Sequence, residues 1–173
     1  MADANLLSSL EPANLVKLDD ANFGVFVGDT RYFMLPLDWF DTLGEALAGN
    51  SGAEKPVYAA GENLGKKFYA QLANTVVKGL NLQSLSQVAL PDFLQYYNRM
   101  LKTIGLGESA LSGESGAIVV TVSQSPFKPG STGAFLMAGF MAGFFAPLGG
   151  GALVAHEEPA APGQLKFKLV KNG

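Results

Sequence analysis

The sequence predicts an α+β fold, a mixed fold in which a small antiparallel sheet packs against about four helices. Three observations carry that expectation. Runs rich in β-branched and aromatic residues stand near both ends of the chain and around residue 120. Segments with three- and four-residue apolar spacing lie between them. Gly- and Pro-containing stretches separate the two kinds, giving a β-hairpin, three helices, a strand, a helix and a closing β-hairpin.

Residues 1–20 are polar and mixed and read as an N-terminal arm or a short helix, which leaves 21–173 as one domain without internal repeat or linker. Phe23 to Val27 and Arg31 to Leu35 flank Gly28-Asp29-Thr30, the chemistry of a hairpin turn. From Asp38 to Ala48, Trp39, Phe40, Leu43 and Leu47 fall on one side of a short helix, and Gly49 to Gly52 break it. A longer helix runs from Pro56 to Leu80, with Leu64, Phe68, Leu72 and Val76 as its stripe and Gly79 as its stop. Pro91 opens a third helix to Ile104, striped by Phe93, Tyr97, Met100 and Ile104, with Gly105 at its C-cap. Gly116 to Ser123 is a buried strand, and Pro126 to Gly133 a loop. Ala134 to Leu148 is a helix ended by Gly149-Gly150-Gly151, and Ala152–Glu157 and Gln164–Val170 are the closing strands.

Of the 173 residues 48% are hydrophobic and 16% charged, below the roughly 25% charged residues usual for a globular domain. A surface so sparsely charged suggests that part of it is covered by a partner or a second copy. The net charge of −3 supplies no basic field for nucleic acid. No cysteine is present, which excludes disulfides, thiolate nucleophiles and Cys-based zinc sites; a single histidine, His156, excludes a His-cluster metal centre. The first twenty residues lack a basic region followed by an apolar one, so a cytoplasmic location is expected, with attachment at the periphery of a membrane complex left open.

Between Lys128 and Glu157 no side chain carries a fixed charge. A membrane span is not expected there. Pro147 and three glycines interrupt the segment, and its helical part is about 15 residues against the ~20 that cross a bilayer. At about 100° per residue, Ala138, Gly139, Ala142, Gly143 and Ala146 share one face of this helix. Met137, Phe140, Met141, Phe144, Phe145 and Leu148 share the other. The small face suits close backbone packing at the Gly139-x-x-x-Gly143 spacing, and the bulky face either fills a core or lines a cavity. Trp39, Phe68, Tyr96, Tyr97, Met100, Phe140, Met141 and Phe144 are the side chains that such a cavity would use.

No catalytic constellation is legible, and no cofactor site. Glu157 and Glu158 are adjacent on a strand and point to opposite faces. His156 has no identifiable catalytic partner, no Gly-x-Ser-x-Gly turn is present, and the glycine triplet follows a helix where a phosphate loop would precede one.

Three local patterns resemble the 4-vinyl reductase-like domain, of the superfamily that includes subunits of the TRAPP membrane-trafficking complex. They are Tyr58-Ala-Ala-Gly61-Glu-Asn-Leu-Gly65 opening the long helix, Gly139-Phe-Met-Ala-Gly143, and the ending with Glu157, Glu158 and a turn at Gly163. The resemblance covers about residues 20 to 171. It implies a closed α+β fold, often dimeric, with an apolar cavity for a small hydrophobic molecule or acyl chain, and with Gly61, Gly65, Gly139 and Gly143 as helix-packing positions. Relatives are linked to bacteriochlorophyll biosynthesis, to sensing of aromatic hydrocarbons in transcription activators, and to trafficking assemblies. Many carry zinc-associated cysteines in the closing hairpin; the comparable positions here fall near Pro159 and Phe167, so no metal is expected.

The expected function is therefore non-catalytic binding of a small hydrophobic ligand of aromatic, tetrapyrrole or acyl type. The lining would be Trp39, Phe68, Tyr97, Met100, Phe140, Met141 and Phe144. The alternative is a protein-interaction or assembly factor, with a pigment–protein (photosynthetic) complex as the partner class that the resemblance implies. A vinyl reductase component is disfavoured because no Gly-x-Gly-x-x-Gly follows a strand. Under either binding reading a homodimer is expected, through the Gly/Ala ridge or an exposed helix.

Overall fold

The computed structural model describes residues 1–11, 16–19, 24–27, 30–32, 38–47, 52, 54–114 and 116–172. They form two compact units, one of Met1–Pro36 with Leu72–Gly105, the other of Leu37–Gln71 with Leu106–Gly173.

In the first unit, helix α1 (Ala4–Ser9) is the short helix that residues 1–20 allowed. Its N-cap Asp3 accepts the Leu6 N–H at 2.9 Å and its own N–H donates to the Tyr96 hydroxyl at 2.7 Å. Those bonds satisfy donors that a helix start leaves without partners. Strands β1 (Val16–Asp19), β2 (Gly24–Val27) and β3 (Thr30–Tyr32) form a three-stranded antiparallel sheet, with Val27 opposite Thr30. The β2–β3 pair is the expected hairpin, while Phe23, Gly28, Asp29 and Phe33 to Leu35 lie outside the described residues.

The long helix, here α3 (Glu54–Gly79), gives its last two turns to this unit, where Leu72 and Val76 are fully buried. Helix α4 (Leu90–Thr103) starts with Pro91 in its first turn and buries Phe93, Tyr96, Tyr97, Met100 and Leu101. The Thr103 hydroxyl donates to the carbonyl of buried Leu10, fixing the end of α1.

The second unit holds helix α2 (Asp38–Leu47), the first 18 residues of α3 (54–71), and a four-stranded antiparallel sheet. Its strands are β4 (Glu108–Glu114), β5 (Ala117–Ser123), β6 (Leu153–Glu158) and β7 (Gln164–Lys171), in the order β4-β5-β7-β6. On β7, Leu165, Phe167 and Leu169 are buried at every second position, as one covered face requires. Helix α5 (Thr132–Phe145) packs on β6 and β7, capped by Ser131, whose hydroxyl accepts the Ala134 N–H at 3.2 Å.

Three departures from the sequence reading have physical causes. Strand β4 was not expected: Glu108-Ser-Ala-Leu-Ser-Gly-Glu114 has one large apolar residue because it is an edge strand. Helix α5 ends at Phe145, not Leu148, since Pro147 has no N–H to give the Gly143 carbonyl. Leu64 is 52% exposed, and the buried stripe of α3 runs Gly61, Gly65, Phe68, Leu72 and Val76. No helix among the described residues is long and apolar enough to cross a membrane.

Candidate functional site

The second unit is organised by a backbone-to-backbone contact between α3 and α5. A methyl group added at Gly139 would lie under 3.0 Å from the Tyr58 carbonyl oxygen, and one at Gly143 would meet the Glu62 carbonyl as closely. The relation is reciprocal: methyls at Gly61 and Gly65 would strike the carbonyls of Leu136 and Phe140. Two Gly-x-x-x-Gly segments therefore interlock, each glycine admitting a carbonyl of the facing helix. The ridge of α5 is consumed within the chain. A dimer through that ridge would have to displace α3.

Close approach of the two helices brings their aromatic side chains together beside the glycines. The Phe68 ring stands 5.4 Å from Phe140 and 5.9 Å from Phe144, Tyr69 stands edge-on to Phe144 at 5.6 Å, and Phe145 stands edge-on to Phe144 at 5.1 Å. Phe140 and Phe144 lie nearly parallel at 6.3 Å. These are separations at which ring quadrupoles attract. Phe144 is fully buried, whereas Phe68 and Phe140 keep 6% and 5% of their surface exposed. Burial holds the Tyr69 hydroxyl above its ordinary pKa, so it stays protonated and neutral beside the rings.

The candidate lining residues thus divide. Phe68, Phe140 and Phe144 form one cluster, and Met141, next to Phe140 on α5, is fully buried. Trp39 is 42% exposed on α2. Tyr96, Tyr97 and Met100 are buried in α4 of the other unit.

Sequence reasoning missed a second feature of the same unit, a surface cleft of about 460 Å³ among the described residues. It is walled by Tyr58 of α3, Phe135 and Ala138 of α5, and Val154 and Ala155 on β6, with Glu54, Lys55, His156 and Glu157 at its rim. Tyr58 ties the walls together, because its hydroxyl accepts the Ala155 N–H at 2.8 Å across 97 residues of sequence. Burial is the main cause that raises its pKa; the Ala155 bond opposes the shift and the Glu62 charge adds to it. His156 is exposed at the rim. The Glu157 carboxylate accepts the Gly130 N–H at 3.0 Å, and Glu158 pairs with Lys166 at 3.0 Å. The only signal of the cleft in the sequence was Tyr58 itself, as the first residue of a motif.

No family model and no curated protein matches the chain. Among solved structures it is similar to the phenol-responsive sensory domain of the transcription activator PoxR, solved with phenol. The two superpose with a TM-score of 0.67 over 96% of this chain and 89% of that one, at 14% identity. At that identity the likeness speaks for the backbone and leaves the ligand open. This chain has the α+β fold of that sensory domain.

Proposed function

We propose that this chain is a non-catalytic binding domain for a small aromatic molecule, taken up among Phe68, Phe140, Met141 and Phe144. The observation that carries the proposal is the likeness, over nearly the whole chain, to a phenol-responsive sensory domain solved with phenol. The cluster supports it chemically. Five rings meet there, Phe68, Tyr69, Phe140, Phe144 and Phe145, with buried Met141 next to Phe140 in sequence, and a ring-sized guest replaces ring–ring contacts with contacts of the same kind. Phe68, Tyr69 and Phe140, the rings with surface still exposed, are the way in. Membership of the 4-vinyl reductase-like group belongs to the same proposal. Its support is that the motif residues Gly61, Gly65, Gly139 and Gly143 are the ones at the helix contact. Of the ligand types open from sequence, an aromatic ring suits the cluster better than a tetrapyrrole or an acyl chain, which would displace several buried side chains at once.

The test is native mass spectrometry of the full chain as isolated, followed by thermal unfolding with phenol, toluene, a porphyrin and palmitate. Retention of a ring-sized guest, or a melting temperature raised by the first two compounds alone, supports the proposal. A chain that carries no guest and is stabilised by none of the four refutes it. Two copies without a guest would transfer the case to the interaction reading.

A further inference from the structure

The cleft beside Tyr58 lies apart from the aromatic cluster and has its own chemistry. Strand β6 is the last strand of its sheet, so one side of its backbone faces away from β7. Donation from Ala155 N–H to Tyr58 shows which residues face outward, and the two-residue repeat of a strand extends this to Leu153 and Glu157. The bond from Asn172 N–H to the Ala152 carbonyl agrees, since it places the even-numbered residues towards β7. The cleft thus runs along a strand edge that no other strand pairs among the described residues. Its middle donor is already spent on a side chain.

That arrangement selects among occupants. An added peptide strand needs the outward N–H and C=O groups in sequence, and the Tyr58 hydroxyl interrupts them at Ala155. A small molecule has no such requirement. The volume of about 460 Å³ lies within the range of small-ligand pockets. Phe135, Ala138 and Val154 offer an apolar wall, while at the rim Glu54 and Lys55 oppose each other in sign and the Glu157 carboxylate is engaged by the Gly130 N–H. The Tyr58 hydroxyl accepts one hydrogen bond, and its own proton has no acceptor among the described residues. Its raised pKa keeps that proton in place at neutral pH.

We propose that this cleft is a binding site for a small neutral molecule with an apolar body and one carbonyl oxygen, which receives the Tyr58 hydroxyl proton. The apolar body lies on Phe135, Ala138 and Val154. The site stands on these residues alone and does not require the aromatic cluster to bind anything.

The test is an amide-resolved NMR titration of the full chain with acetophenone and with α-methylstyrene, which has the same shape without the acceptor oxygen. Acetophenone is expected to shift the amides of Val154 to Glu157 and of residues 54 to 58. It should bind about three- to tenfold more tightly than α-methylstyrene, the yield of one neutral hydrogen bond. Tyr58→Phe keeps the ring and is expected to erase that preference. Should Tyr58→Phe fail to fold, Phe135→Ala at the half-exposed wall is expected to weaken both probes by a similar factor. Shifts confined to Phe68, Phe140 and Phe144 would overturn the cleft and leave the proposed function standing. Equal affinity for the two probes, a preference that survives Tyr58→Phe, or Phe135→Ala without effect would overturn it as well. Cleft shifts with none at the cluster would uphold the site and count against the proposed function.

Discussion

Replacing Gly139 by alanine tests the interlocked helices directly. The new methyl would sit under 3.0 Å from the Tyr58 carbonyl oxygen and close to the Glu62 nitrogen, both of them backbone atoms of a packed helix. Ordinary carbon contacts need about 3.5 Å, so α3 and α5 must part by on the order of 1 Å. Overpacking costs about 1–3 kcal/mol, and here the obstacle cannot rotate aside, which places the cost at the top of that range. Alanine returns about 1 kcal/mol of helix propensity. The net loss is therefore ~2 kcal/mol, which at a urea slope of about 2 kcal/mol/M moves the unfolding midpoint down by about 1 M. Gly113→Ala is the control, since its methyl meets nothing within 4 Å. It should be neutral or slightly stabilising. Because one parting of the helices relieves all four glycines, Gly61→Ala added to Gly139→Ala should cost less than it does alone. A Gly139→Ala protein as stable as the parent, or an additive double variant, would refute the interlock.

Phe144→Ala removes a fully buried ring from among four others and should cost about 3–5 kcal/mol in urea unfolding, part of it recovered by saturating toluene in the space left. Gln124 holds a left-handed backbone (φ 55°), and Gln124→Gly should raise stability by about 0.5–1 kcal/mol in the same assay. The Tyr58 and Tyr69 hydroxyls titrate above 10.0 because burial disfavours the charged form. The folded chain therefore holds protons that the unfolded chain gives up in alkali. Stability should be flat up to about pH 9 and then fall as pH rises through their folded pKa values, and Tyr58→Phe should reduce that slope; a slope unchanged in the variant would contradict the assignment.

What could be read from the sequence was what repeats locally. Six of the seven elements of the second unit, all but β4, follow from apolar spacing or β-branched content, and the small face of α5 from Gly139 and Gly143, because local pattern encodes burial. The partner of that face was not legible, although Gly61 and Gly65 carried the same spacing, since two matching ridges do not say that they meet. Leu64 misled because an apolar residue at helical spacing was counted as core, while the position facing α5 needed no side chain at all. Trp39 misled in the same way: size and apolarity did not bury it. Strand β4 escaped because an edge position tolerates polar residues on both faces.

The cleft is the extreme case, since its geometry depends on a bond between residues 97 apart. Tyr58 takes part in two contacts at once. Its carbonyl lies against Gly139, and its hydroxyl holds the edge of β6 at Ala155. A shift of α3 along or away from α5 therefore moves the hydroxyl relative to the strand, and the cleft is coupled to the interlock through one residue. Gly139→Ala should consequently weaken acetophenone binding in the NMR titration as well as lower stability, although Gly139 is not among the cleft's lining residues. The loss should fall on acetophenone more than on α-methylstyrene, because the displaced group is the hydroxyl and the apolar wall of Phe135, Ala138 and Val154 stays together. If Gly139→Ala weakens both probes alike, the helix shift deforms the wall instead, and Tyr58 is not the link.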